Sequence, residues 1–276
     1  MDLTTPEFPT QSLPEAGQIY SEIIKPGQSV AVIGPSTTIV DKPALLYTCW
    51  LQRDGGTVFV VDPQWGQTTK SSADMSKEFG RVDGAPDFNG YHMKQIEVAR
   101  SKGIPLSLPR WLGPESAAQK IALDDASLDT IVDHTVSVFV SGLKGTDPKI
   151  RQQRLKECYD EYHRVLKPGG TLILQTNRKE YDLKRSLFNK SLLDRVLEQS
   201  GLSIVKELEV ADDFRIPIDP SVYDRWQPRE YPGTESYQAA EAYFMFSRIK
   251  EQGGQYYLTL DETWSQGPDM LICKNK

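Results

Sequence analysis

Short runs of consecutive apolar residues alternate along the chain with segments whose apolar residues recur at helical spacing. The apolar runs, bounded by polar or glycine-rich residues, are typical of strands buried on both faces of a sheet. The predicted strands are 29–34, 57–62, 104–108, 128–133, 171–175, 202–210 and 269–274. The predicted helices are 14–24, 44–53, 91–102, one that includes 155–166, and 191–200. This alternation predicts a mostly parallel sheet with helices on both faces, and we expect the last strand to run antiparallel to its neighbours.

Turn and capping residues indicate where several of these elements begin and end. Ser12-Leu13-Pro14-Glu15 has the form of a capping box with proline in the first helical turn. Gly55-Gly56 ends the second helix, and Lys167-Pro168-Gly169-Gly170 turns the chain from a helix into a strand that begins at Thr171. The length of 276 residues favours one main domain with insertions.

Two segments do not fit the alternating pattern. The first, 64–90, is rich in Gly, Ser, Asp and Lys and is too long for a simple connector, which predicts a mobile insertion or a lid. The second, 211–266, is rich in aromatic residues and prolines, which indicates either a small satellite core or a lid over an apolar substrate. We therefore predict an N-terminal helical segment at 1–28, a core at 29–210, an extension at 211–268 and a last core strand at 269–276.

Charge and cysteine content restrict the partners that we expect. A net charge of -6 and a pI of about 5.3 disfavour nucleic acid and favour a small molecule. Cys49, Cys158 and Cys273 lack the spacing of a zinc site, so we expect reduced thiols and no metal. The chain has no apolar run long enough to cross a membrane and no leader pattern at its start. These features predict a soluble cytoplasmic protein that does not bind membranes.

Four segments in order resemble the class I S-adenosylmethionine (SAM) methyltransferases. They are Val30 to Ser36, Val60 to Asp62, Ala126 to Val132, and Arg164 to Gly170, and the resemblance extends from Ser29 to Val210. It implies a doubly wound, mostly parallel seven-stranded sheet with an antiparallel C-terminal strand. It also implies SAM as the cofactor and transfer of its methyl group to an oxygen, nitrogen or carbon atom of a small molecule.

The resemblance implies a site at the ends of the first, second and fourth predicted strands. In the family, the acidic residue after the second strand accepts hydrogen bonds from the two ribose hydroxyls, and Asp62 occupies that place. The distance of 28 positions from Gly34 to Asp62 leaves room for one helix between them. A surface aspartate at a strand end is the alternative interpretation. The other implied cofactor contacts are Gly34, Pro35, Ser36, Pro63, Trp111, Leu112 and Asp133.

Two of these positions have a second interpretation. Trp111 follows the weak third strand and could cover the adenine, or it could be an ordinary core aromatic. His134 follows the fourth strand and is the candidate catalytic base, because an imidazole can accept a proton near neutral pH. A histidine bonded to a loop is an equally good interpretation of His134. His163, by its helical spacing, is predicted to face solvent.

The loop after the first strand departs from the family pattern. Val32 occupies the usual acidic position, Gly34 is retained, and Ser36 and Thr38 replace two further glycines. Larger side chains there restrict how closely the backbone approaches the methionine part of SAM. A methyltransferase-like binding or partner protein without turnover is therefore a second hypothesis. A nicotinamide-dependent oxidoreductase is disfavoured, because the chain has neither a GxGxxG loop after the first strand nor a YxxxK pair.

Overall fold

The computed structural model describes residues 14–34, 43–62, 96–97, 99–101, 103–134, 147–176, 190–211, 213–225, 249–261 and 269–276. Within these ranges the named helices are α1 (Ala16–Ile23), α2 (Pro43–Leu51), α3 (Pro148–Val165), α4 (Lys190–Gln199) and α5 (Pro220–Arg225). The strands are β1 (Ser29–Ile33), β2 (Thr57–Val61), β3 (Arg110–Trp111), β4 (Leu128–His134), β5 (Leu166–Thr176), β6 (Leu202–Glu209), β7 (Asp213–Ile218), β8 (Ile249–Gln252), β9 (Gln255–Asp261) and β10 (Asp269–Asn275). The predicted insertion at 64–90 lies outside the described residues.

A seven-stranded sheet in the order β3-β2-β1-β4-β5-β10-β6 forms the centre of the molecule. The pairs from β3 to β5 are all parallel, whereas β10 is antiparallel to both β5 and β6. Ile33 of β1 lies opposite Val61 of β2 and Asp133 of β4, so these strands end at the same level. The predicted doubly wound sheet with an antiparallel last strand is confirmed.

Alternate residues of each strand face two separate hydrophobic clusters. In β1, Val30 and Val32 belong to the cluster that includes α1 and α2, and Ala31 and Ile33 belong to the cluster that includes α3 and α4. The period of two follows from the pleat of a strand. Both faces of the sheet are therefore dry, which is why β1 is apolar at nearly every position.

A second sheet in the order β7-β9-β8 packs against α1 and α2. Phe214 of β7 is completely buried there, with its ring centroid 5.1 Å from that of Tyr20 and 5.4 Å from that of Tyr47. Phe214 belongs to the same hydrophobic cluster as Val30 and Val32. The described part of the aromatic extension thus contributes to the main core, where the sequence had left a satellite core and a lid as alternatives.

The junction between α3 and β5 differs from the predicted turn. The strand begins at Leu166, immediately after the helix, and not at Thr171. The register with β4 then shifts, since Leu128 pairs with Leu166 while Thr130 pairs with Thr171. The extra residues form a bulge in which Gly169 has φ +75°, a backbone conformation that favours glycine.

This bulge is tied to the amino ends of β1 and β4. Lys167 Nζ lies 2.7 Å from Asp129 Oδ1, and the backbone N–H of Ser29 donates to Asp129 Oδ2 at 2.9 Å. Partial burial on its own raises the pKa of Asp129, but the bonds from Lys167 and Ser29 outweigh it and hold the pKa below its usual value. The junction is therefore part of the structural end of the sheet, opposite the carboxyl ends of the strands.

Two predicted elements are wrong in their bounds. α1 begins at Ala16, and Glu15 is its N-cap with extended backbone and no side-chain cap, so the predicted start at Pro14 is too early. The predicted strand at 104–108 is absent, and the third strand is Arg110–Trp111. Pro105 lacks the N–H group that a strand needs for its ladder, and this explains the displacement.

The predicted exposure of His163 is also wrong. Its ring is half-buried and hydrogen-bonded to the side chain of Asn275, the last residue of β10. The amide of Asn275 also donates to the carbonyl oxygens of His163, Leu166 and Lys167 at 3.1, 2.9 and 3.2 Å. Helical spacing did not reveal this contact because a distant strand end covers the last turn of α3.

Candidate cofactor site at the carboxyl ends of the strands

The chain leaves β1 at Gly34 in a conformation that favours glycine. Gly34 has φ +53°, and its N–H donates to the carbonyl oxygen of Val61 at 2.8 Å. This bond holds the exit of β1 against the end of β2. The one glycine of the family loop that the sequence retains therefore lies where the backbone requires it. Pro35 and Ser36, the next predicted contacts, lie outside the described residues.

Asp62 follows β2 directly and is only 7% exposed. Its main-chain oxygen accepts a hydrogen bond of 2.9 Å from the indole Nε1 of Trp111. The N–H of Leu112 donates to the carbonyl oxygen of Val60 at 3.2 Å. Two bonds thus tie the end of β3 to the end of β2, and they bring together Asp62, Trp111 and Leu112, three of the predicted site residues. Pro63 lies outside the described residues.

Trp111 lies within β3, whereas the sequence placed it after the third strand. Its ring is half-buried and packs against the cluster that includes Val58 and Val60. The indole is therefore part core residue and part rim of the strand ends. Because its N–H is already bonded to the main-chain oxygen of Asp62, the ring is held in a fixed orientation at the end of β2.

Asp133 is completely buried and accepts a hydrogen bond of 3.0 Å from the hydroxyl of Tyr162 on α3. Burial raises the pKa of Tyr162 well above its usual value, and the charge of Asp133 raises it further, so the hydroxyl stays protonated and donates. This bond joins α3 to β4. The contact spans 29 positions and was not visible in the sequence.

His134 is the last residue of β4, and its backbone pairs with Gln175 of β5. The structure thus places this residue at the same sheet edge as Gly34 and Asp62, with β1 between β2 and β4. In open α/β sheets, ligands bind at the edge where the parallel strands end. The catalytic role of His134 remains a prediction.

Two further polar residues near this edge were missed from the sequence. The hydroxyl of Tyr20 on α1 donates to Oε1 of Gln175 at 2.9 Å, and both residues are completely buried. The pair is separated by 155 positions, so no local pattern connects them. The available signal was a single amide at the end of the apolar run Leu172-Ile173-Leu174, where a strand buried on both faces would otherwise continue with an apolar residue.

The cysteines do not contribute a reactive group to this edge. All three are free and buried. Burial raises the pKa of Cys49 and of Cys273 to about 12 and raises that of Cys158 as well. Thiols with raised pKa values are poor nucleophiles near neutral pH. Within the described ranges, no group of three or more His, Cys, Asp or Glu side chains is placed to hold a metal ion.

The strand order of the sheet decides the fold class, because the antiparallel strand β10 is inserted between β5 and β6. The fold is that of the class I SAM-dependent methyltransferases. The switch point of this methyltransferase fold lies between β1 and β4, where the chain turns from building one half of the sheet to the other. Of the helices that the structure describes, none is both long enough and apolar enough to cross a membrane.

Comparisons with known proteins find only distant structural likenesses. No family model matches the chain, and no curated protein does. Among solved structures, a geranyl diphosphate C-methyltransferase from Streptomyces coelicolor A3(2) is 11% identical, with 94% of this chain and 78% of that chain covered and a TM-score of 0.45. A SAM-dependent methyltransferase from Aquifex aeolicus is 19% identical over 72% of this chain and 85% of its own, with a TM-score of 0.44. With TM-scores below 0.5, these likenesses carry no argument about this chain.

Proposed function

We propose that this protein is a SAM-dependent methyltransferase that acts on a small molecule. The observation that carries the proposal is the group of Gly34, Asp62 and Trp111 at the adjoining ends of β1, β2 and β3, on one side of the switch point. Each of these residues has a property that a nucleoside ligand requires: a glycine backbone, a buried carboxylate and an oriented aromatic ring.

The residues present fit SAM in chemical terms. A buried carboxylate at Asp62 is suited to accept hydrogen bonds from the two ribose hydroxyls, because both hydroxyls are donors and the carboxylate has only acceptors. The half-buried ring of Trp111, with its N–H already bonded, offers an apolar face to the adenine. Gly34 would let the methionine part approach the backbone at the exit of β1.

The protein's own contribution to the reaction is alignment, exclusion of water and proton transfer. When bound, SAM supplies a methyl group that its sulfonium already activates. Alignment of a nucleophile against such a group can contribute about 7–11 kcal/mol, so a strong base is not required for every acceptor. We propose that His134 takes the proton where the acceptor is a hydroxyl or an amine, which would add roughly 10²–10⁴-fold.

Calorimetry with SAM and with S-adenosylhomocysteine tests the cofactor assignment. We expect saturable binding of both to the folded protein. Turnover is then measured as S-adenosylhomocysteine formation with a panel of phenols, amines and carbon acids. The variant His134→Ala should lower turnover much more than it weakens cofactor binding. Equal turnover in the variant and the parent would remove His134 from the mechanism, and absence of binding to both cofactor forms would exclude the enzyme.

The alternative is a methyltransferase-like binding or partner protein without turnover. The sequence of the loop after β1 favours it, since Ser36 and Thr38 stand where the family has glycines. The calorimetry and the turnover assay together separate the two functions: binding of S-adenosylhomocysteine without product formation from any acceptor would support the binding protein. For location, we propose the cytoplasm, since three free buried thiols are typical of a reducing compartment.

A further inference from the structure

The side chain of Gln175 has one hydrogen-bonding group in use and one unused. Its Oε1 accepts from the Tyr20 hydroxyl at 2.9 Å. Its Nε2 is buried and, in the part of the chain that the structure describes, has no hydrogen-bond partner. Proteins rarely leave a buried amide donor unpaired, because the group has lost water and gained nothing. An unpaired donor of this kind suggests a ligand that supplies the acceptor.

The position of Gln175 connects it to the proposed reaction site. Gln175 is the penultimate residue of β5, and its backbone pairs with that of His134 at the end of β4. Adjacent parallel strands are about 4.8 Å apart, so β5 lies two such steps from β1 and the proposed methionine site. This is the side of the switch point away from Asp62, where the group that receives the methyl would lie if Asp62 holds the ribose.

The surroundings of Gln175 indicate the charge of that ligand. Ile173 and Met270, its neighbours on β5 and β10, and Tyr20 and Phe214 belong to one dry hydrophobic cluster. Tyr20 and Phe214 contact each other edge to face in that cluster. A carboxylate or phosphate enclosed here would lose its hydration, and a single amide would not compensate for that loss. An uncharged oxygen suits the position better.

We propose that the Gln175 amide donates a hydrogen bond to a carbonyl oxygen of an uncharged, largely apolar methyl acceptor, and that Tyr20 orients the amide for this bond. The inference rests on the proposed function and narrows its substrate class. Gln175 is then a specificity-determining residue, and the bond from the Tyr20 hydroxyl to Oε1 leaves Nε2 as the free donor.

Three probes of similar size separate the possible ligand chemistries: acetophenone, benzoate and ethylbenzene. Each is titrated into the ¹⁵N-labelled protein, with and without S-adenosylhomocysteine, while the side-chain amide signals are followed by NMR. The Gln175 signals are assigned by their loss in Gln175→Met, which keeps a straight side chain of similar length. We expect acetophenone to shift them, ethylbenzene to leave them in place, and benzoate to bind most weakly.

The same titrations on two variants complete the test. One neutral hydrogen bond is expected to contribute about 2- to 10-fold in affinity, so Gln175→Met should bind acetophenone that much more weakly and ethylbenzene as well as the parent does. Tyr20→Phe keeps the amide donor but removes the bond that orients it, so its preference for acetophenone over ethylbenzene should be smaller than that of the parent and larger than that of Gln175→Met. If Gln175 were only structural, Gln175→Met would lower the melting temperature and affect all three probes alike.

Three results would overturn the inference: no acetophenone binding, equal shifts with acetophenone and ethylbenzene, or tighter binding of benzoate than of acetophenone. All three can be tested with the parent protein alone, so the test holds even where a variant fails to fold. Absence of S-adenosylhomocysteine binding would refute the proposed function. The probe titrations made without S-adenosylhomocysteine would still test the Gln175 amide. The two failures are therefore distinguishable.

Discussion

Replacement of Asp62 by asparagine is expected to weaken binding of S-adenosylhomocysteine about 10- to 100-fold. The substitution keeps the size of the side chain and turns one carboxylate oxygen into a donor, so one of the two ribose hydroxyls loses its acceptor. A hydrogen bond to a charged group contributes about 1.5–3 kcal/mol, and about 1.4 kcal/mol corresponds to a tenfold change in affinity. Asp62 is only 7% exposed, so solvent would not replace the lost bond.

The structure also indicates that the fold should survive this substitution. The bond from Trp111 Nε1 is made to the main-chain oxygen of residue 62, which the side-chain change leaves in place. Asp62→Ala, which removes both acceptors, should weaken binding further, by about 3–6 kcal/mol if both bonds are made.

Isothermal titration calorimetry measures the loss, with the melting temperature as a check on folding. Asp129→Asn is the matched control, because Asp129 is an aspartate at the opposite end of the same sheet, where its side chain accepts the backbone N–H of Ser29. The control should retain cofactor affinity. An Asp62→Asn protein that binds S-adenosylhomocysteine as tightly as the parent would refute the assignment of Asp62 to the ribose.

Three further predictions concern the stability of the fold. Gly169→Ala should destabilise the protein by about 1–2 kcal/mol through backbone strain alone, and Gly170→Ala by more, because its Cβ would lie 2.8 Å from a backbone oxygen; urea unfolding of both variants compares them. The depressed pKa of Asp129 stabilises the fold above the unfolded pKa of about 3.9, and this contribution is lost as the pH falls through the folded pKa. Asp129→Asn should therefore be less stable than the parent at neutral pH, and the gap should close in acid. Tyr162→Phe should cost about 1–3 kcal/mol in thermal unfolding, because buried Asp133 loses a donor, and an unchanged melting temperature would contradict this.

The buried strands were the most predictable part of the fold. Ser29 to Ile33 and Thr57 to Val61 are apolar at nearly every position because both faces of the sheet are dry, so the sequence pattern and the burial pattern coincide. The third strand was misplaced, because Arg110 and Trp111 do not form an apolar run and the more apolar 104–108 segment is restricted by proline. Strand identity at a sheet edge depends on pairing with a neighbour, and pairing leaves little trace in a short sequence.

The candidate site was predictable only where a residue follows a recognisable strand. Asp62 and Gly34 could be found in this way, and the structure brings them to adjoining strand ends. The bond between Tyr162 and Asp133 and the bond between Tyr20 and Gln175 could not, because each joins a helix to a strand far along the chain. Packing of helices across the sheet creates these contacts, and the packing is decided by the whole core.

The place of β10 in the sheet has a consequence for how the chain folds during synthesis. Among the described strands, β6 is hydrogen-bonded to β10 alone, and β10 fills the position between β5 and β6. Because synthesis proceeds from the N-terminus, residues 202–209 leave the ribosome long before residues 269–275, with which they pair. Until then, β5 presents an open apolar edge at Leu172 to Leu174, a surface that favours aggregation. Completion of the sheet should be a late, long-range event, and a nascent chain halted before residue 269 should remain dependent on chaperones.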